Sequence, residues 1–183
     1  MSVALDFANT VACPGCRVDD GLATSQDIER WLRAHRRELG PWDGPIPVAA
    51  LRRLRTTVRQ LFACAVEEAA PDATCLVAIN RLGRLAATYP RLDWREGRRR
   101  KVIVAGKENS RDYLLASLAA SVIATVAEEG RVRLRKCQSP RCTHYLLART
   151  SRQIWCSPSG CGNRARVARH YRRARRRVVP VSG

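Results

Sequence analysis

Cys137-Gln138-Ser139-Pro140-Arg141-Cys142 and Cys156-Ser157-Pro158-Ser159-Gly160-Cys161, the second running straight into Gly162-Asn163-Arg164-Ala165-Arg166, decide the architecture of the C-terminal part of the chain. Two short cysteine pairs separated by a modest loop bring four thiolates together without a large core, and four thiolates close a tetrahedral structural zinc site. Turn-forming residues stand between the members of each pair, and Tyr145 to Leu147 reads as a strand inside the intervening loop. Cys161 falls at the start of the last helix, where exposed backbone N–H groups favour a thiolate. The expected unit is a treble-clef-like zinc finger: two knuckles, a hairpin, and a helix fixed by the last ligand. Cys137, Cys142, Cys156 and Cys161 are expected to bind one structural Zn2+.

Outward from this unit, charge divides the chain. The 183 residues carry a formal charge of +18, but from Arg131 to Gly183 there are 15 Lys+Arg and no Asp or Glu, leaving 19 basic against 16 acidic residues before that point. A nearly neutral body therefore precedes a strongly cationic tail, and the division is placed at 1–130 and 131–183. Such asymmetry points to a polyanion, nucleic acid being the commonest. The tail lacks the bulky apolar face of an interfacial membrane helix, and no stretch is apolar for long enough to span a bilayer. The opening residues have no basic and apolar signal regions, so a reducing, cytoplasmic, nucleoid-associated location is expected, with cysteines serving as metal ligands, buried thiols or redox sensors rather than disulfides.

The body reads as mainly α. A capping box of Thr24 and Asp27 opens a helix carrying Ile28, Trp31, Leu32, His35 and Leu39, stopped by Gly40-Pro41. Pro47 introduces a second helix with Val48, Leu51, Leu54, Val58, Leu61, Phe62 and Ala65 in period. A third is expected from Pro71 to near Pro90. Leu92 and Trp94 across Glu96-Gly97 from Val102, Ile103 and Val104 suggest a small β-hairpin, with Arg98 to Lys101 at its tip. A long helix from Ser110, with Leu114, Leu115, Leu118, Val122, Ile123 and Val126 facing inward, closes at Gly130. Arg131 to Lys136 then reads as a short strand. In the final helix Val167, Tyr171, Ala174 and Val178 recur at helical spacing and are expected to pack back on the zinc module, with order to about Arg175. That leaves Arg164, Arg166, Arg169, Arg172, Arg173 and Arg176 as the nucleic-acid contacts, since guanidinium forks suit phosphate oxygens and guanine edges. Because zinc supplies the folding energy of such modules, its loss is expected to unfold the tail and spare the body.

The remaining reactive residues carry less. Cys13-Pro14-Gly15-Cys16 has the spacing of a redox pair or half a metal site. No thioredoxin-like context follows it, and the other two cysteines, Cys64 and Cys75, lie on apolar helical stretches where buried thiols are expected. His144 and His170 have zinc-ligand chemistry but fall in no pair, so both are expected at the surface or on phosphate. Asp6 and Asn9 could line a small-molecule pocket in the body, or serve as a helix cap and a surface residue. Asn163 is expected to be structural, and Arg164 is divided between a zinc thiolate and phosphate. No Gly-rich nucleotide loop and no Ser/His/Asp set is present, and a closed zinc site activates no water, so an enzyme is not expected.

Trp155-Cys156-Ser157 followed by Cys161-Gly162-Asn163-Arg164 and the basic helix resembles the zinc finger named after its Cys-Gly-Asn-Arg motif (CGNR). Leu5-Asp6-Phe7-Ala8-Asn9-Thr10-Val11, with Leu22-Ala23-Thr24 and Trp31-Leu32, resembles the ABATE domain that usually precedes it. The resemblance implies a bacterial, stress-responsive transcription regulator with a zinc-dependent DNA-binding tail and its four cysteines as ligands; a small-molecule effector of a regulatory N-terminal domain is a separate expectation. This chain departs from the pattern in a shorter inter-pair loop, in Ala148 where an Asp is common, and in Gln153-Ile154 where an Arg pair is usual. Two other readings accompany DNA binding: an RNA- or ribosome-associated zinc protein, since arginine-rich segments bind RNA equally well, and a thiol/zinc redox sensor.

Overall fold

Val3, Ala4, Leu5, Phe7 and Ala8 are all buried, and they make the first helix, α1 (Val3–Asn9), apolar nearly all round. The computed structural model describes residues 2–16, 18–40, 42, 44–45, 48–86, 88–95, 98–105, 110–127 and 133–178, the stretches 88–95, 98–105 and 175–178 by backbone alone. Helix α1 was not expected from periodicity, because a two-turn segment with no wet face has no amphipathic period to read. Its first turn is tied to the later chain: the Ala4 N–H donates to Ser121 Oγ at 3.2 Å, and the Ser2 and Thr125 hydroxyls meet at 2.8 Å.

Helix α2 (Ser25–Ala34) begins with the expected capping box, in which the Asp27 N–H donates to Thr24 Oγ1 and the Thr24 N–H to Asp27 Oδ2. The run does not continue unbroken to Leu39. His35 leaves helical geometry and a single turn follows, α3 (Arg36–Leu39). Gly40 ends it at φ +77°, where a Cβ would also lie 2.6 Å from the Tyr113 ring, so glycine is required for both conformation and space. Helix α4 (Val48–Glu67) buries Leu51, Val58, Leu61 and Phe62 as its period requires, but also Arg55. Helix α5 (Ala73–Gly83), capped by Asp72, is shorter than expected: by Thr88 the chain is already in a strand. That hairpin is β1 (Thr88–Arg95) against β2 (Arg98–Ala105), antiparallel with Trp94 opposite Arg99 and Arg95 opposite Arg98. Arg98 to Lys101 are thus strand residues, not the tip; Glu96-Gly97 lie outside the described residues.

Helix α6 (Ser110–Ala127) is the expected spine, with Leu114, Leu118 and Val122 closed to solvent. Ile123 and Val126, expected inward, are instead 40% and 37% exposed. A single packing stripe at four-residue spacing leaves such flanking positions at its edge. The core joins α1, α2, α4, α5 and α6 around Phe7, Phe62, Leu22, Leu51, Leu114 and Leu118. The expected closure at Gly130 lies outside the described residues.

Strands β3 (Arg133–Lys136) and β4 (Tyr145–Ala148) pair antiparallel, Lys136 opposite Tyr145. They do not stand apart from the body. Tyr145 belongs to the main core, its ring edge-on to Phe62 at 5.5 Å, and Leu134 and Leu147 pack on the same core. Asn9 clamps the Tyr145 backbone, its Nδ2 donating to the carbonyl at 3.0 Å and its Oδ1 accepting from the N–H at 2.8 Å. Arg59 of α4 donates to Ala8 O and to Thr143 O, with its guanidinium over the Tyr145 ring. The hairpin supplies part of the body's core, so loss of the tail's structure is expected to disturb the body and not to spare it. Of the two readings left open for Asp6 and Asn9, a pocket lining or a cap and surface role, neither describes the contacts formed: both act as internal fasteners, Asp6 accepting from Trp31 Nε1 and meeting His35 Nε2 at 2.6 Å.

Candidate metal centre and nucleic-acid interface

The first knuckle follows β3. The Cys137 N–H bonds to His144 O, extending the β3–β4 ladder, and the Cys142 N–H donates back to Ser139 O at 3.0 Å. Arg141, between them, takes a left-handed φ of +59°. The second knuckle is one wide turn over Pro158–Gly162, closed by the Gly162 N–H on Ser157 O at 2.9 Å and by the Gly160 N–H on Ser157 Oγ. Cys161 sits in that turn, immediately before α7 (Asn163–Val178). Gly162 lies flat on Trp155, where an added Cβ would be 3.2 Å from the indole, which gives the Trp-Cys and Cys-Gly pairs a common packing reason.

Within this frame the thiols converge. Cys142 Sγ is 3.8 Å from Cys156 Sγ, and Cys156 Sγ is 3.4 Å from Cys161 Sγ. The Cys137 sulfur accepts from the Cys156 N–H at 3.3 Å and is buried in the same cluster. Two ligands at a zinc–sulfur distance of about 2.3 Å subtending a tetrahedral angle stand about 3.8 Å apart, so these spacings fit one zinc ion. The donor chemistry, all thiol, fits it equally.

A third knuckle joins them that was not expected there. The Cys16 N–H turns back to Cys13 O at 2.8 Å, with Pro14 and Gly15 at the turn's centre, and Cys13 pairs with Val18 in a short bridge. Gly15 presses on the first knuckle so closely that a Cβ would lie 2.6 Å from the Arg141 carbonyl. Cys16 Sγ is 3.3 Å from Cys142 Sγ and 3.7 Å from Cys161 Sγ; Cys13 Sγ is 3.8 Å from Cys142 Sγ. Donor atoms of Cys16, Cys142, Cys156 and Cys161 all lie within 4.8 Å of one another, as do those of Cys13, Cys16, Cys142 and His144. The placing of His144 at the surface is corrected: its Nε2 is buried with no hydrogen-bond partner. The Pro-Gly turn between Cys13 and Cys16 was the available signal; what periodicity could not supply was its position 126 residues from Cys142 in sequence.

Charge is unevenly shared among the sulfurs. Burial raises the Cys142 and Cys156 thiols, and burial with the Cys13 contact raises Cys16 to about 11. Burial also pushes Cys161 up, but hydrogen bonds from Cys156, Ser139, Cys16 and Cys142 outweigh it and bring it down to about 7. Burial lowers the His144 imidazole, keeping it neutral, the form that binds metal. Arg164 Nη2 donates to Cys161 Sγ at 2.9 Å, the contact that its thiolate reading requires.

The other arginines of α7 whose side chains are described make no contact with the cysteines. Arg166 reaches Pro158 O, and Arg169, Arg172 and Arg173 are exposed; the Arg176 side chain lies outside the described residues. Val167 and Tyr171 are 45% and 66% exposed and Ala174 is exposed too, so these three do not pack on the zinc module as expected; the Val178 side chain lies outside the described residues. Helix α7 departs from the finger with substantial contacts only to the turn before it. His170 is exposed beside Tyr171.

A family model described as "Putative stress-induced transcription regulator", ABATE, matches residues 1–129. The chain belongs to the ABATE family. A second model, the CGNR zinc finger, matches residues 133–174. In this ABATE chain the Cys-Gly-Asn-Arg motif is Cys161 to Arg164, and the finger's cysteines form a cluster that can hold one zinc ion. No curated protein matches the chain. No described helix is long and apolar enough to cross a membrane.

Proposed function

We propose that this ABATE–CGNR chain is a DNA-binding transcription regulator, with 1–130 as the regulatory part and 131–183 as the DNA-contacting part. The observation that carries the reading is α7: an arginine-rich helix open to solvent on every described face beyond its first turn, leaving a segment without a single carboxylate. The major groove of B-DNA admits an α-helix, and an uncovered helix enters it without first shedding a packed partner. Zinc on Cys137, Cys142, Cys156 and Cys161 fixes the direction in which α7 leaves the body. Arg164 offsets the thiolate charge at that anchor. Phosphate and base contacts then fall to Arg166, Arg169, Arg172, Arg173 and Arg176. A cytoplasmic, nucleoid-associated location follows from this partner.

The effector's place in this scheme is a cleft of about 530 Å³ beside α2 and α3, whose walls include Ile28, Leu32, Arg33, Arg36 and Trp42. Its volume is that of a small-molecule site, and its walls carry both signs of charge, Arg33 and Arg36 with Glu29. Selection on random duplex DNA with the full zinc-loaded chain is expected to enrich a motif. Absence of any motif together with tighter binding to structured RNA would overturn the DNA reading in favour of an RNA-associated protein.

A further inference from the structure

One zinc ion leaves Cys13, Cys16 and His144 unexplained. Seven metal-binding donors meet here: the sulfurs of Cys13, Cys16, Cys137, Cys142, Cys156 and Cys161, and Nε2 of His144. A tetrahedral ion takes four. Two ions offer eight positions to seven donors, so one donor must serve both. Cys16 and Cys142 both belong to the two groups of donors; Cys142 is the one assigned the shared role, because it touches Cys13, Cys16 and Cys156 while Cys16 is folded into one knuckle with Cys13.

We propose that Cys13, Cys16, His144 and Cys142 form a second zinc site, joined to the finger's own site through a shared Cys142 thiolate. Three independent features support it. Cys13 to Cys16 is folded as a metal knuckle, with its turn closed and its Gly15 seated on the Arg141 carbonyl at a separation no side chain would permit. His144 holds a buried Nε2 with no hydrogen-bond partner, which costs free energy unless something binds it. The sulfur spacings of 3.3 and 3.8 Å from Cys142 to Cys16 and Cys13 match those across the finger's own cysteines.

Charge accounting agrees. Each thiol releases its proton to solvent on binding; six thiolates, a neutral imidazole and two Zn2+ leave a net charge of −2, no greater than one zinc tetrathiolate alone. Arg164 on Cys161 and Arg59, which donates to Thr143 O next to Cys142, supply positive charge near it. The second ion bonds a loop of the N-terminal domain to the finger, making the docking of the two depend on metal as well as on Asn9 and Arg59.

The site rests on the finger's cysteines binding zinc, and the test separates the two. Metal content is measured on the full chain, purified without a polyhistidine tag, for wild type, Cys13→Ser/Cys16→Ser, His144→Ala and His144→Cys, each checked for helical circular dichroism. The expected result is about two zinc ions per chain in wild type, about one in the double variant and in His144→Ala, and about two again in His144→Cys. Replaced by Co2+, the wild-type pair should show magnetic coupling through the shared thiolate, seen as a reduced paramagnetic signal per cobalt, and the double variant should not. One zinc in wild type that survives in the double variant overturns the second site and leaves the finger intact. One zinc in wild type that is lost in the double variant also overturns it, meaning that Cys16 closes a single site. No zinc in wild type overturns both. Two cobalt ions without coupling overturn the shared Cys142.

Discussion

Arg55 is a charged side chain that α4 buries. Its Nη1 and Nη2 meet the two Asp20 oxygens at 2.7 and 2.8 Å, Nη1 also reaches Thr10 Oγ1, and Asp20 Oδ1 accepts from the Leu22 N–H. The Arg55 hydrogen bonds hold the Asp20 carboxyl below its usual range in spite of partial burial. A folded-state value depressed below the unfolded one contributes stability that is present above the unfolded pKa, about 3.9, and is lost as pH falls through the folded value. Asp20→Asn is therefore expected to destabilise at neutral pH by about 2 kcal/mol, discounted because Asp20 is partly exposed, and that deficit is expected to shrink as pH falls below the unfolded value towards the lowered folded one. Urea melts at pH 7 and pH 3 check this; equal deficits at both would refute the ion-pair account. Asn9 acts through two hydrogen bonds to one backbone unit of β4. Asn9→Ala leaves both Tyr145 groups unmatched and is expected to cost about 1–3 kcal/mol in the zinc-loaded protein, again by urea melting.

At the scale of elements, α7 and the knuckles depend on each other. If about five arginines of α7 neutralise phosphates, the logarithm of DNA affinity should fall against the logarithm of salt with a slope of about −4 to −5. Arg169→Gln or Arg172→Gln, both at exposed positions, should each reduce the slope by about one, measured by anisotropy titrations across salt. Arg164→Gln should differ in kind, weakening zinc retention under a competing chelator, because its guanidinium lies on Cys161. Cys156→Ser removes a finger thiolate whose N–H also serves Cys137, and is expected to abolish high-affinity DNA binding along with the finger's zinc. An unchanged DNA affinity in metal-free Cys156→Ser would show that the helix acts without its anchor.

For the whole molecule, the docking of Tyr145, Leu134 and Leu147 on the helical core joins body and finger through shared packing. Chelation of zinc is expected to lower the melting temperature of the body too, and to increase hydrogen exchange at α1 and α4, not in the C-terminal segment alone. Protection of α1 and α4 that is indifferent to chelation would restore the picture of an independent tail. Much of this molecule was legible in one dimension. The Thr24 capping box, the apolar period of α4, the Gly40 stop and both finger knuckles rest on interactions between residues no more than about a turn or two apart, and short-range chemistry is written in short-range order. The charge division was legible too, because composition requires no coordinates. Helix α1 was not, since burial on every side erases the period by which a helix is read. Nor was the fate of Val167 and Tyr171: a stripe at helical spacing states that a face is apolar, and only the surrounding packing decides whether anything covers it. The roles of Asn9, Arg59 and His144, and the arrival of Cys13 and Cys16 beside Cys142, were decided by tertiary structure alone. Each joins segments that loop closure brings together across dozens of residues, and the sequence of either segment carries no record of which partner it will meet.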